Sequence, residues 1–220
     1  MSDILARYDI AAAFWVTVQL GVLSALGALL LGTVVAILRV SPVASLRTLG
    51  TAYVNLIRNT PLTLLMVLSI LGLSFIMGLS LDDDFARNGF RWAVVMLSVY
   101  HAAFVCEALR SGVNTVPVGQ AEAARSIGLT FAQSLREVIL PQAFRGAIAP
   151  LGSTLIALVK NTTVAAVIGV SEAAGLLSEI VENEGSSLFI FLIFAGGFVI
   201  LTLPLGIGFT SLSRRLAVKR

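Results

Sequence analysis

Between residues 113 and 142 the sequence contains a spaced set of residues suited to docking against another protein. The set consists of Glu122, Ala123, Ala124, Gly128, Leu140 and Pro141. Two alanines beside one carboxylate on a helix give a shallow surface with a single charged anchor, because small side chains let a neighbour approach closely. These residue types are typical of a contact surface and not of a catalytic centre.

Two short helices are predicted to position this set. Pro117 suits the first position of a helix, residues 118–127 are rich in alanine, and Gly128 suits a left-handed cap. Thr130 and Gln133 have the spacing of a capping box for a second helix, and Pro141 is expected to prevent its smooth continuation. A connection of about 30 residues is long for one without a role, so we expect this hairpin to fit a groove on a partner.

A lone charge marks a second candidate site. Lys160 is the single charged residue among the 26 residues from Gly146 to Ser171, and an ionisable residue within an apolar segment is a functional candidate. The alternative is a structural lysine that pairs with Glu172 or extends its side chain outward. Asn161, Thr162 and Thr163 offer amide and hydroxyl groups suited to a zwitterion, although threonine hydroxyls in helices often bond their own backbone.

Three further charged residues are candidates for a gate. Glu107 and Arg110 are three residues apart, so they can pair on one face of a helix as a structural clamp. Arg58 precedes Pro61, where a basic residue is also an ordinary interfacial anchor. His101, among aromatic and small residues, is expected to be packed and hydrogen-bonded and not to be a ligand.

Several classes of chemistry are excluded. One cysteine, Cys106, closes no intrachain disulfide, and with His101 alone it makes no protein-only zinc site. No phosphate-binding G-x-x-x-x-G-K-[ST] segment occurs, so the chain is not expected to hydrolyse ATP, to be an enzyme or to bind a cofactor itself. Any energy for its work must come from a partner.

The composition is that of a membrane protein. Of 220 residues, 57% are hydrophobic and 12% are charged, whereas soluble domains have about 25% charged residues. Three uncharged intervals are long enough to cross a bilayer, and they cover residues 10–38, 59–81 and 185–213. Two weaker intervals, 92–106 and 146–171, make five predicted helices.

The charges between these intervals predict the orientation. Eleven of the 15 basic residues fall in the first and third connections and the C-terminal tail, and those segments are expected to be cytoplasmic. They are Arg39, Arg47, Arg58, Arg110, Arg125, Arg136, Arg145, Arg214, Arg215, Lys219 and Arg220. Nine of the 12 acids fall in the N-terminus and the second and fourth connections. The N-terminus is therefore predicted outside and the C-terminus inside.

The docking pattern also carries a resemblance. Glu122-Ala123-Ala124, Gly128 and the segment 138–141 resemble the EAA signature of ABC-importer permeases, with Val138 where isoleucine is usual. Segments 58–62, 107–112 and 160–163 are similar to the polar amino-acid branch of that family, although Asn161 and Thr163 depart from its usual pattern. From about residue 14 to 215 the chain looks like the glutamate-uptake permeases of actinobacteria.

This resemblance implies an all-α, five-helix type I permease fold in the plasma membrane, with one transmembrane domain over residues 1–220. It implies that the EAA helices seat in a cytoplasmic dimer of ATP-binding subunits. It also places Lys160 near the external end of a translocation cavity. The other expected partners are a homologous permease subunit, an extracytoplasmic amino-acid-binding protein and the lipid bilayer, but no nucleic acid.

The resemblance leaves alternatives open. A heterodimer with a sister permease is favoured by the similarity to split glutamate systems, and a homodimer is the alternative. Another polar substrate, such as glutamine, aspartate or a basic amino acid, is the alternative to glutamate. A secondary transporter is a different class, but it would need internal repeats and an ion-coupling site.

Overall fold

The computed structural model describes residues 7–216, so Lys219 and Arg220 of the basic tail lie outside the described part. Throughout this part the regular structure is helical. The helices are α1 (Ile10–Val40), α2 (Ala44–Arg58), α3 (Leu62–Ile76), α4 (Phe85–Asn114), α5 (Val118–Ser126), α6 (Phe131–Ile168), α7 (Ala173–Glu184) and α8 (Leu188–Leu216).

Within the described residues, four helices are long and apolar enough to cross a membrane, namely α1, α4, α6 and α8. The fifth crossing is a broken one, in which α2 and α3 meet at an angle of 99°. At 1.5 Å per residue the 30 residues of α4 extend about 45 Å. This helix is therefore longer than the interval 92–106 predicted, and it carries charged residues at both of its ends.

The centre of the fold is the contact between α1 and α4. A stripe of small residues on α1, including Ser24, Ala28 and Gly32, is buried there. A Cβ atom added to Gly32 would lie 2.6 Å from Cβ of Val105 on α4, so the two backbones approach too closely for any larger residue. α6 then packs along the other side of α4 and runs antiparallel to it, from Gly112 near Ala143 to Gly89 near Ile168.

The first connection of the predicted topology contains a helix. Residues Ala44–Arg58 form a helix whose apolar face, with Val54 and Ile57 buried, packs against α1 and α4. The hydroxyl of Tyr53 donates a 2.6 Å hydrogen bond to the Val99 carbonyl on α4.

The α-helix is interrupted just before Pro141, as the sequence predicted. Helical backbone continues from Phe131 to Ile168, with a π-helical stretch at Ser134–Ile139 immediately before the proline. Pro141 occupies the first turn of the α-helical stretch Leu140–Asn161. A proline is tolerated there because the wider π turn changes the hydrogen-bond register just ahead of it.

Candidate functional site

The hairpin after α4 has the geometry that its sequence predicted. Gly128 has a φ of +88°, which places it in the left-handed region. The amide of Gly128 donates to the Arg125 carbonyl at 3.0 Å and the amide of Leu129 to the Ala124 carbonyl at 3.1 Å. This is a Schellman cap on α5. A capping box between Thr130 and Gln133 then starts α6.

The hairpin presents an apolar surface around its charged residue. Glu122 and Ala123 are exposed, whereas Ala124 is buried against the hairpin itself. Around them three large apolar side chains are 61–79% exposed: Val118, Ile127 and Phe131. Large apolar side chains exposed together mark an interaction surface. The residues Leu140 and Pro141 lie further along, where α6 leaves the hairpin, and both are exposed.

A charged cluster joins α1 to α4 next to this hairpin. The predicted pair is present, because Arg110 donates to the Glu107 carboxylate at 2.8 and 3.1 Å. The prediction missed Arg39 on α1, which also binds the Glu107 carboxylate. No local spacing could have indicated this contact, since 68 residues separate the two. Together the three residues form a clamp, here called the inner clamp, between α1 and the helix that carries the hairpin.

A second cluster lies halfway along α4, and we call it the basic–aromatic cluster. Its members are Arg58, Phe104, His101 and Asn161, and Lys160 directly precedes Asn161 in the chain. The guanidinium carbon of Arg58 lies 5.5 Å from the centroid of the Phe104 ring, within range of a cation–π interaction. The rings of Phe104 and His101 have centroids 6.1 Å apart. The amide nitrogen of Asn161 lies 3.2 Å from Nε2 of His101.

The cluster therefore connects three elements: the end of α2, the middle of α4 and α6. Lys160 precedes Asn161 and its side chain is exposed in the isolated chain. Asn161 is level with His101, midway between the ends of α4.

The two threonines contribute less than their types suggested. The hydroxyl of Thr162 donates to the Val159 carbonyl at 2.7 Å and that of Thr163 to the Lys160 carbonyl at 2.8 Å. Thr162 is also fully buried. Both hydroxyl protons are thus used within the helix, which leaves Lys160 and Asn161 as the polar groups of this segment that are available to a ligand.

Glu172, the expected structural partner of Lys160, has other partners. Its carboxylate accepts hydrogen bonds from the backbone amides of Gly175 and Ala174 at 2.9 and 3.0 Å, so it caps α7. The Thr17 hydroxyl on α1 is 3.4 Å away. Burial raises the pKa of this carboxyl above its ordinary value, and the hydrogen bonds to Ala174, Gly175 and Thr17 oppose that shift. None of the ion pairs among the described residues joins Lys160 to Glu172, so of the structural alternative only a Lys160 side chain that extends outward remains.

The segment that follows, α7, is a surface helix. Its buried face consists of Ala173, Leu176 and Ile180, which pack against the outer ends of α1 and α8. Its other face carries Glu179 and Glu182, which are exposed. Under the charge-based orientation this acidic face lies outside the cell.

Apolar helices that bury their small residues against one another, with an exposed apolar hairpin at one end, are the features of a multi-pass membrane protein with a docking surface. The chain belongs to the family of binding-protein-dependent transport system inner membrane components, which matches residues 28–218. It is an ABC-importer permease of the cell membrane, as its EAA signature indicated. The alternative of a secondary transporter is therefore wrong.

Relatives across this family resemble most of the chain. The glutamate transport system permease proteins GluC of Corynebacterium glutamicum and Corynebacterium efficiens are each 54% identical over 214 residues, which cover 94% of this chain and 94% of each relative. The probable glutamine ABC transporter permease protein GlnM of Bacillus subtilis is 38% identical, with 92% of this chain and 91% of the relative covered.

Solved structures share the fold. The crystal structure of an amino acid ABC transporter with histidines superimposes with a TM-score of 0.84 at 27% identity, and covers 94% of this chain and 93% of that chain. An inward-facing form of the MetNI methionine ABC transporter has a TM-score of 0.80 at 23% identity over 95% of this chain and 96% of that chain. The five-helix type I permease fold is thus confirmed.

Proposed function

We propose that the chain is the permease subunit of an ATP-driven importer of glutamate. One observation carries the choice of substrate. Among residues 7–216, the ion pairs formed include neither Arg58, which belongs to the basic–aromatic cluster, nor Lys160, which directly precedes the cluster residue Asn161. A cation within a membrane protein is costly without an anionic partner. An acidic substrate would supply that partner each time it enters the pathway.

Glutamate has one charged group for each of Arg58, Lys160 and Asn161. At neutral pH it carries two carboxylates and one ammonium, and these three residues offer two cations and one amide. A basic amino acid would bring a further positive charge toward Arg58 and Lys160, and like charges repel. Glutamine would leave one cation without a charged partner. The names of the two 54% identical relatives support the same choice of substrate.

We further propose that separate subunits bind and hydrolyse the ATP. The exposed apolar side chains of Val118, Ile127 and Phe131 surround Glu122, and they would be covered when the hairpin seats in an ATP-binding subunit. One chain forms one wall of the pathway, so a second permease chain is required, and we favour a homologous sister over a second copy. The acidic outer face of α7 is the docking surface proposed for the amino-acid-binding protein.

The test is uptake by the assembled complex in proteoliposomes, with ATP inside and the cognate binding protein outside. Labelled glutamate should accumulate with ATP but not with a non-hydrolysable analogue. Unlabelled glutamate should compete better than glutamine, aspartate or arginine. Uptake of glutamate without ATP would refute the proposed energy source, and preferred uptake of a neutral or basic amino acid would refute the proposed substrate.

A further inference from the structure

His101 is a buried polar residue for which the proposed transport function gives no role. Its side chain is 1% exposed and lies on the face of α4 that meets α6. The rings of Tyr100 and Phe104 are its neighbours, with centroids 5.2 and 6.1 Å from that of the imidazole. No acid among the described residues pairs with it. A charged imidazole would be costly in these surroundings, so the ring is neutral.

The hydrogen bonds of the ring determine which nitrogen carries the proton. Nδ1 lies 3.0 Å from the carbonyl oxygen of Leu97. A carbonyl oxygen only accepts hydrogen bonds, so Nδ1 must be the protonated nitrogen. In a neutral imidazole the other nitrogen is then an acceptor. Nε2 therefore accepts a hydrogen bond, and the group that lies within reach is the side chain of Asn161 at 3.2 Å.

This acceptor in turn determines the orientation of the Asn161 amide. An amide has one end that donates and one end that accepts, and only the donating NH₂ end can satisfy Nε2. The carbonyl Oδ1 must then point away from His101. Oδ1 makes no hydrogen bond to a described residue and is not among the fully buried unpaired atoms. It is an available acceptor on the residue that follows Lys160 in the chain.

We propose that His101 is a positioning residue for the substrate: it holds Asn161 with its carbonyl oxygen toward the pathway, as the acceptor for the substrate's α-ammonium group. This inference rests on the proposed function, because it assigns a protein partner to the α-ammonium, the third charged group of the proposed substrate. Arg58 and Lys160 attract carboxylates, and Oδ1 of Asn161 recognises the ammonium that distinguishes an amino acid from a simple dicarboxylate.

Two variants separate the two hydrogen bonds of the imidazole. In His101→Gln the side-chain amide reaches the position of Nε2 and can still accept from Asn161. In His101→Asn the shorter amide reaches the position of Nδ1, so it keeps the bond to Leu97 and loses the bond to Asn161. Both variants place a neutral polar group in the same space, so the pair is matched for burial.

The measurement is equilibrium binding of labelled glutamate to the assembled complex without the binding protein, with competition by glutarate, which lacks the ammonium. His101→Asn should bind glutamate about 10-fold more weakly, as expected for one hydrogen bond to a charged group, with glutarate affinity unchanged. His101→Gln should stay within about 3-fold of the wild type. If His101→Asn lost affinity for glutamate and glutarate equally, or bound glutamate as tightly as the wild type, the proposal would be overturned.

A double variant tests whether His101 acts through Asn161. If it does, His101→Asn combined with Asn161→Ala should bind glutamate as weakly as Asn161→Ala alone. Additive losses would contradict the positioning role. If the wild type binds a different amino acid in place of glutamate, the proposed substrate fails, but the same comparison is then made with that amino acid and its deaminated analogue. Every amino acid carries the same ammonium, so the two failures are distinguishable.

Discussion

Arg39 on α1 binds the carboxylate of Glu107 on α4, 68 residues away in the chain. The same carboxylate binds Arg110, one turn further toward the hairpin. The side chains of Arg39 and Glu107 are 15% and 21% exposed, whereas that of Arg110 is 42% exposed. The contact to α1 is thus better shielded from solvent than the contact within α4, and it fixes the helix that carries the hairpin.

The first prediction concerns the stability of this inner clamp. Glu107→Gln should lower the free energy of unfolding by about 1.5–3 kcal/mol, because it replaces the charged acceptor of three hydrogen bonds with a neutral amide that has one acceptor oxygen, and it leaves two arginines side by side without a counter-charge. Arg110→Gln should cost only about 0.3–0.5 kcal/mol, as expected for an exposed pair within one helix. Thermal unfolding of the complex in detergent measures both. Equal losses in the two variants would show that the contact to Arg39 contributes nothing.

A second prediction concerns the turn between α5 and α6. Gly128→Ala should destabilise the hairpin by about 1–2 kcal/mol, because an L-residue is strained at a φ of +88°. Space is not the reason, since a Cβ atom there would meet nothing within 4 Å. The hairpin would then transmit substrate binding less well to the ATP-binding subunits. Substrate-stimulated ATP hydrolysis by the assembled complex should therefore fall.

Gly119→Ala is the matched control for this turn. Gly119 also has no neighbour within 4 Å of an added Cβ atom, but it lies inside α5 with helical backbone. Alanine there should leave coupling unchanged and stabilise the helix slightly. A hairpin that tolerates alanine equally at both positions would contradict the role of the left-handed backbone.

Local signals in the sequence predicted the hairpin well. Thr130 and Gln133 form the expected capping box, and Gly128 adopts the expected left-handed backbone. These features depend on a few adjacent residues, so spacing alone identifies them. The apolar intervals likewise gave the number of crossings, because a charge in the bilayer is expensive wherever it falls.

The long-range contacts of the site could not be predicted in the same way. The pairing of Arg39 with Glu107, and of His101 with Asn161, depends on how α1 and α6 are aligned along α4. That alignment comes from small residues such as Gly32 and Gly112, where a side chain would collide with the neighbouring helix. At Pro141 the sequence predicted the interruption but not its form, since a π turn ahead of a proline has no clear signature in the sequence.

A third prediction concerns Glu172 and pH. Because the folded state raises the pKa of this carboxyl above its ordinary value of 4.5, the folded protein holds the proton more tightly than the unfolded chain. Its contribution to stability must therefore decrease as the pH rises above about 4.5. The melting temperature of the wild type should be higher at pH 5 than at pH 7 because of this carboxyl. In Glu172→Gln that part of the difference between the two pH values should be absent.

The control for this titration is Glu179→Gln, which removes an exposed carboxylate from the same helix. It should keep the wild-type dependence on pH. Glu172→Ala removes the cap of α7 as well, and should cost about 1 kcal/mol at any pH. An unchanged pH dependence in Glu172→Gln would mean that this carboxyl does not titrate with folding.

The last prediction concerns Lys160. If its ammonium attracts the substrate's carboxylate, Lys160→Met should slow glutamate uptake about 10- to 100-fold, since one charge-assisted hydrogen bond contributes about 1.5–3 kcal/mol. Lys160→Arg keeps the charge and should retain part of the activity.

Glu172→Gln serves as the control for Lys160. Glu172 caps α7 and does not pair with Lys160, so this variant should leave uptake per assembled complex unchanged. The measurement is initial uptake normalised to assembled complex. Wild-type normalised uptake in Lys160→Met would remove this residue from the pathway, and a loss of assembly in proportion to uptake would give it a structural role instead.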